Sequence, residues 1–202
     1  MEQKTRPARE SSATEVALLV SLLSTSTAAH HGDRELDRLG TLARAQDWLT
    51  QTLRAVADTS DTRAPSIALH RADLQPLRAF RESLRAALRA GHPACDDHGD
   101  DDHSTDFATT VELRWSPAAG ISARPRSSGW QAVAALVMTE LLRAEAGGTL
   151  RRVKTCAYDV CGFPFIDHSR NNSRVWHDTS RCGNLVNLRA ARARNASTTA
   201  RP

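Results

Sequence analysis

Apolar residues recur at helical spacing in four stretches of the chain, and these stretches predict four helices over residues 13–24, 41–57, 72–90 and 129–146. In each stretch an apolar side chain returns every three or four positions, which is typical of a helix with one buried face. The residues predicted to form these faces are Val16, Leu19, Val20 and Leu23; Leu42, Ala45, Leu49, Leu53 and Val56; Leu74, Leu77, Leu84 and Leu88; and Trp130, Val133, Val137 and Leu141.

A second pattern, strict alternation of apolar and polar residues, occupies residues 107–115. A period of two predicts a half-buried strand. Pro117 and Gly120 then make a turn, and residues 121–124 return as a second strand. The two patterns together predict an α+β fold that is predominantly helical, with one small two-stranded element.

The segment 93–106 follows neither pattern. Residues 92–106 contain six aspartates and three histidines but no lysine or arginine. Such side chains can bind a divalent cation, yet a block of like charge is usually solvated, and we interpret the segment as an acidic loop. Cys95 lies within it, distant in sequence from the other cysteines, and is interpreted as a spare thiol. The polar ends, residues 1–12 and 196–202, are predicted to be disordered.

Composition supports a helical core and argues against a membrane protein. Aromatic residues make up only 4% of the chain, so the core must consist mainly of alanine, leucine and valine. No stretch reaches the roughly 18 apolar residues of a membrane-spanning helix, and the N-terminus lacks the apolar run of a signal peptide. We therefore expect a cytoplasmic protein without a membrane partner.

Charge is distributed unevenly along the chain. From Leu150 to the end there are ten basic and three acidic residues, a net charge of +7, whereas the remainder carries −3. A basic C-terminal module on a slightly acidic body fits a polyanionic partner such as DNA. The same charge could also belong to an ordinary solvated surface, because arginine is abundant throughout this chain.

Three of the four cysteines and one histidine form two tight pairs near the C-terminus. Cys156 and Cys161 are separated by four residues, fifteen residues follow, and His177 and Cys182 are again separated by four. Two such pairs can supply the tetrahedral ligands of one structural zinc ion, and three thiolates with one imidazole leave no position open for hydrolytic chemistry. His168 also lies between the pairs, but the spacing of His177 mirrors that of the first pair.

The segments around these ligands are predicted to help shape the site. Gly162 and Gly183 each follow a ligand cysteine directly and would supply backbone freedom there. Trp176, next to His177, is interpreted as a lid over the zinc, and Asp167 as a residue that bonds local backbone or orients a ligand. A last helix is predicted over residues 179–194.

These residues resemble the CGNR zinc-finger family. The family's motif has an F-x-D-x-S-R-N segment, then R-x-W-C, then C-G-N-R; this chain has F-I-D-H-S-R-N at 165–171, R-V-W-H at 174–177 and C-G-N-L at 182–185. His177 stands where the family usually has cysteine, a change that zinc tolerates. Leu185 replaces the final arginine.

The resemblance implies two domains, an ABATE-like helical domain over residues 13–149 and a CGNR-type zinc finger over 150–195. The zinc finger would be a treble-knuckle-like module that ends in a helix. The ABATE-like domain typically opens with an L-D-x-x-N-T pattern, and residues 20–25 lack its aspartate and asparagine. If those residues hold a small ligand in relatives, this chain would have lost that contact.

Members of the family are regarded as transcription regulators, so the resemblance implies a DNA-binding regulator and not an enzyme. Side chains between or beside the ligands and on the last helix are candidates for contacts with phosphates and bases. These residues are Arg170, Asn171, Arg174, Arg181, Arg189 and Arg192.

The alternative is a zinc-stabilised protein-interaction or small-ligand sensor domain, with a protein partner or a second copy of the chain. Leu185 extends the apolar face of the last helix, which favours packing over base recognition.

Overall fold

The computed structural model describes residues 14–26, 37–59, 63–90, 107–118, 120–158 and 160–199. The predicted acidic loop with Cys95 and the predicted disordered segment 1–12 lie outside the described residues. Of the predicted C-terminal tail, residues 200–202 also lie outside them.

The fold is α+β and predominantly helical, as the sequence predicts. The helices are α1 Ala17–Leu23, α2 Leu42–Thr59, α3 Leu74–Ala90, α4 Gly129–Ala146 and α5 Asn184–Thr199. The strands are β1 Val111–Ser116, β2 Gly120–Pro125, β3 Val153–Thr155 and β4 Pro164–Ile166. They form two antiparallel pairs, β1 with β2 and β3 with β4. The last helix extends to Thr199, five residues past its predicted end, so the start of the predicted disordered tail is helical.

The core consists of leucine, valine and alanine side chains around α1, which contacts α2, α3 and α4. Leu19, Leu22 and Leu23 of α1 are completely buried. Trp48 of α2, which is outside the predicted apolar face, is also buried, and its indole N–H donates to Ser21 Oγ at 2.9 Å. The described residues include no helix that is long and apolar enough to cross a membrane.

A polar cluster lies inside this apolar core. Arg81 of α3 is 4% exposed and donates to both carboxylate oxygens of Asp37, at 2.7 and 2.9 Å, and to Thr25 Oγ1 at 2.8 Å. These bonds tie the end of α1 to α3 and to the start of the turn before α2. The periodicity of α3 does not indicate this role, because a charged residue at an inward position breaks the apolar pattern.

Glu140 of α4 holds the beginning of α1. Its two carboxylate oxygens accept the backbone N–H groups of Leu18 and Leu19, at 3.1 and 2.8 Å. These N–H groups belong to the first turn of α1, where no intrahelical acceptor exists. Burial raises the pKa of Glu140 to about 7, so this carboxyl group changes charge near neutral pH.

The predicted β1–β2 hairpin forms, but β1 begins at Val111 and not at residue 107, and its apolar face is not half-buried. Val111, Leu113 and Trp115 lie on one face of β1, with Ile121 opposite Trp115. Leu113, Trp115 and Ile121 are 67%, 70% and 64% exposed. Alternation identifies the two faces of a strand, but it does not show whether another element covers the apolar one.

The β3–β4 hairpin connects the helical core to the C-terminal module. Val153 of β3 is buried in the helical core, and Ile166 of β4 packs against the same cluster. Strand β3 contacts α3. Strands of three residues are too short to show a period, so the sequence pattern does not reveal this hairpin.

Candidate metal centre

The first ligand pair lies on the turn between β3 and β4. Cys156 directly follows β3, and its backbone N–H donates to Phe163 O at 2.9 Å, which continues the strand pairing. The backbone N–H of Cys161 donates to Tyr158 O at 2.7 Å. Gly162 has a φ of +54°, a conformation that side chains rarely adopt, which confirms the predicted backbone role of this glycine.

Cys182 of the second pair lies on a π-helical turn, Thr179–Gly183, that leads into α5. Asp178 caps this turn: its carboxylate accepts the N–H of Arg181 at 3.0 Å, and its carbonyl accepts the N–H of Cys182 at 2.9 Å. His177 immediately precedes the cap. The turn therefore brings the side chains of His177 and Cys182 close to each other.

Gly183 is required for packing and not for backbone freedom, which corrects the prediction. Its φ is not positive; a Cβ placed there would lie 3.0 Å from Cδ1 of Trp176. Trp176 packs on the cluster of Cys156, Tyr158, Cys161 and Cys182. The indole covers the ligand cluster, as predicted, and it occupies the space that a side chain at 183 would need.

The four ligand residues converge on one point. The ligand atoms of Cys156, Cys161, His177 and Cys182 all lie within 4.8 Å of one another. His177 Nδ1 is 3.3 Å from Cys161 Sγ and 3.5 Å from Cys182 Sγ. Bond lengths of about 2.0–2.3 Å to a tetrahedral zinc imply ligand–ligand distances of roughly 3.5 Å. In the described part of the chain, His177 and not His168 joins the three cysteines.

The thiols of this cluster differ in their tendency to ionise. A hydrogen bond from Cys161 lowers the pKa of Cys156 to about 4, and the same interaction raises the pKa of Cys161 far above its ordinary value. Burial raises the pKa of Cys182 to about 11. A divalent cation bound among these residues would favour the ionised form of all three thiols, and zinc is the ion that three thiolates and one imidazole fit best.

A buried ion pair holds the segment between the two ligand pairs. Asp167 is completely buried and Lys154 is 5% exposed, and their side chains meet at 2.8 Å. Lys154 Nζ also donates to the carbonyls of Asn172 and Arg174, at 2.7 and 3.1 Å. Asp167 accepts the backbone N–H groups of Ser169 and Arg174, each at 2.8 Å. Although burial alone would raise the pKa of Asp167, these bonds hold it well below its usual range.

Asp167 therefore bonds local backbone, as the sequence analysis predicted. Lys154 was missed. A single lysine in a three-residue strand carries no sequence signal of its own, and its burial follows only from the way the segment folds over it.

Arg174, one of the candidate DNA contacts, also supports the metal ligands. Its guanidinium donates to His177 O at 2.6 Å and lies 5.4 Å from the centre of the Phe165 ring. The ring centre of Phe163 lies 4.9 Å from that of His177. The backbone and the ring of His177 are thus each positioned by a neighbour.

The other candidate DNA contacts lie on the surface of the C-terminal module. Arg170, Asn171, Arg181 and Arg192 are exposed. Arg189 is exposed as well, and its guanidinium lies 5.2 Å above the ring of Tyr158, which ties α5 to the first ligand pair. None of the six candidates is a ligand of the cluster.

Comparison with known proteins agrees with the geometry. Residues 152–195 match the family described as CGNR zinc finger. A search of curated proteins gives no match to the chain. The matched segment begins at Arg152, directly before β3, and includes both ligand pairs and most of α5. Residues 152–195 of this chain are therefore a CGNR zinc finger, with Cys156, Cys161, His177 and Cys182 as the ligands of one structural zinc ion.

Proposed function

We propose that this protein is a DNA-binding transcription regulator in which the zinc ion holds a basic surface in place. The observation that carries the proposal is the position of three exposed arginines. Arg170 lies in the segment that the buried Asp167–Lys154 pair holds, and Arg181 directly precedes the ligand Cys182. Arg192 lies on α5, the helix that begins two residues after that ligand. Guanidinium groups are suited to phosphates and to the major-groove edge of guanine.

The zinc has a structural role in this proposal, and the protein is not an enzyme. Four protein ligands complete a tetrahedral shell, so no coordination position remains for water or substrate. The proposal also places the protein in the cytoplasm, where thiols stay reduced and can bind metal. The ABATE-like assignment of residues 13–149 remains a prediction from resemblance.

A salt titration of the zinc-loaded full chain against a mixed-sequence DNA duplex tests the proposal. The logarithm of the binding constant should fall linearly with the logarithm of salt concentration, because each phosphate contact releases a counterion. The double variant Arg170→Gln with Arg192→Gln should reduce the slope by about 2, since each contact contributes about 0.9. Neither residue is a zinc ligand, so the zinc content should not change.

A matched control removes the same charge from another part of the molecule. Arg44 and Arg54 are exposed residues of α2, and replacing both with glutamine changes the net charge equally. This control should bind DNA as the wild type does. Absence of binding at low ionic strength, or an equal loss in the control, would contradict the proposal.

A second candidate function, binding of a protein partner through α5, is favoured by one specific observation. Leu185 and Leu188 are 40% and 48% exposed and lie three positions apart, on the same side of the helix. Arg189 and Arg192 follow them at intervals of four. Such a mixed apolar and basic face fits an amphipathic acidic segment better than it fits a groove of DNA.

One substitution separates the two functions. Leu185→Arg restores the arginine that the resemblance places at this position. If α5 contacts DNA, the variant should bind duplex more tightly and show a steeper salt dependence, because a phosphate contact is added. If α5 binds a protein partner, duplex binding by the variant should stay as weak as that of the wild type, and the second candidate would replace the first.

A further inference from the structure

The β1–β2 hairpin presents an apolar face that nothing in the described part of the chain covers. Leu113, Trp115 and Ile121 are each about two-thirds exposed and lie together on this face. Large apolar side chains grouped on one surface usually mark a site of interaction. The hairpin is remote in sequence from the zinc finger, so the proposed function does not explain its exposed face.

The outer edge of β1 presents backbone groups for pairing. Among the described residues, β2 is the only strand that pairs with β1. The N–H of Arg126 donates to Thr110 O at 3.1 Å, so residues 110 and 126 form a hydrogen-bonded pair. Hydrogen-bonded pairs alternate along an antiparallel ladder. The N–H and C=O groups of Val111, Leu113 and Trp115 therefore point away from β2, toward the outer edge.

The sequence of β1 is complementary to itself in one antiparallel register. If two copies of β1 pair about Leu113, Val111 of one copy lies opposite Trp115 of the other, and these are the residues whose backbone groups point outward. In the same register Glu112 lies opposite Arg114 of the other copy, and this ion pair occurs twice. A shift by one residue would place the apolar residues opposite the charged ones.

From this complementarity we propose that two copies of the chain form a dimer through antiparallel pairing of their β1 strands. The two hairpins join into one four-stranded sheet. The apolar face becomes continuous across the two-fold axis, with Trp115 of each copy packed against Val111 of the other. Edge strands with exposed apolar side chains are the strands that form such pairs.

The charged side chains of the hairpin can form ion pairs with the second copy in place of those within one copy. Within one copy Glu112 lies 3.7 Å from Arg114 and 3.1 Å from Arg126, and all three side chains are at the surface. Exposed pairs of this kind contribute little and can exchange partners. Leu113 and Trp115 lie on β1 itself, so pairing buries the sides of these exposed residues that face the other copy.

Sedimentation equilibrium of the zinc-loaded full chain over a range of concentrations tests the proposal. The wild type should reach a mass of twice 22.0 kDa. Arg114→Glu places like charges opposite each other at two positions and should raise the dissociation constant of the dimer at least about tenfold. Combining it with Glu112→Arg restores opposite charges and should restore the dimer. Arg54→Glu, the same change of charge at an exposed position of α2, should leave the dimer unchanged.

Leu113→Pro provides a second test that does not depend on charge. It removes an N–H that points to the outer edge, so it should abolish the dimer, while circular dichroism reports whether the helical fold persists. A wild type that stays monomeric at all concentrations overturns the proposal. So does a dimer that survives Arg114→Glu, or one that Arg54→Glu weakens equally. In each of these cases β1 does not form the proposed pair.

Discussion

Replacing Lys154 with methionine should severely destabilise the zinc finger. The substitution keeps the length of the side chain and removes its charge. Lys154 donates to three acceptors at 2.7–3.1 Å: the carboxylate of Asp167 and the carbonyls of Asn172 and Arg174. Methionine donates to none of them, so one buried carboxylate loses its counter-charge and two carbonyls lose a donor.

The size of the effect follows from burial. Asp167 is completely buried, and breaking a buried ion pair on one side costs about 3–5 kcal/mol because the remaining charge is uncompensated. Asp167→Asn should lower the free energy of unfolding by less than Lys154→Met does, since the amide oxygen can still accept the N–H of Ser169. In the double variant neither side chain leaves a buried charge without its counter-charge. The loss in free energy of unfolding in the double variant should therefore be smaller than the sum of the two single losses, by about 1–3 kcal/mol.

Urea denaturation of the zinc-loaded protein, followed by circular dichroism and by zinc release to a coloured chelator, measures these free energies. Zinc release reports on the finger, because its ligands flank the segment that the ion pair holds. Arg170→Met is the control, since this exposed residue lies in the same segment and its loss should change stability by less than about 0.5 kcal/mol. A loss below about 1 kcal/mol for Lys154→Met, or strictly additive effects, would refute the structural role of the pair.

Three further predictions test separate features. Gly183→Ala should destabilise the finger by about 1–3 kcal/mol in urea denaturation because the indole packed there must move, whereas Gly40→Ala, with open space around it, should be neutral. Arg174→Ala should weaken zinc binding about tenfold in competition with a chelator, since the side chain supports a ligand, and Arg170→Ala should not. The free energy of unfolding should fall by up to about 3 kcal/mol as pH rises from about 5 to 8, because the folded state keeps the proton of Glu140; Glu140→Gln should remove this slope.

The second of these predictions also bears on the design of DNA-binding tests. Arg174 lies in the family motif and carries a positive charge, so a loss of DNA binding in an Arg174 variant could be attributed to a lost phosphate contact. The hydrogen bond to His177 O gives the same variant a second effect, on the metal site. Arg170 and Arg192 are the better probes because the metal site does not depend on them.

The helical core and the ligand set could be predicted from sequence because both follow local rules. Helical periodicity fixes which side of α2 and α3 is buried, and the spacing of two cysteine-containing pairs fixes a tetrahedral site. His177 was chosen over His168 on spacing alone, and the structure places it in the cluster. Spacing carries this information because the two ligands of a pair are joined by a short turn, and a short turn allows their side chains few positions.

The features that sequence did not reveal depend on contacts between distant segments. Lys154 and Arg81 are charged residues inside the fold, and the carboxylates that accept from them, Asp167 and Asp37, lie 13 and 44 positions away along the chain. The role of Gly183 depends on where the ring of Trp176 lies. The exposure of Leu113 and Trp115 depends on the absence of a covering element among the described residues. Periodicity describes one element at a time, so it cannot supply any of these facts.

X-ray absorption at the zinc edge of the purified protein tests the central claim most directly, because it counts the ligand atoms by element. The account predicts one zinc ion per chain, with three sulfur atoms at about 2.3 Å and one nitrogen at about 2.0–2.1 Å. His177→Cys should change the shell to four sulfur atoms, while His168→Ala should leave it unchanged. A protein that contains no zinc, or a shell with an oxygen ligand or fewer than three sulfur atoms, would contradict the assignment of Cys156, Cys161, His177 and Cys182.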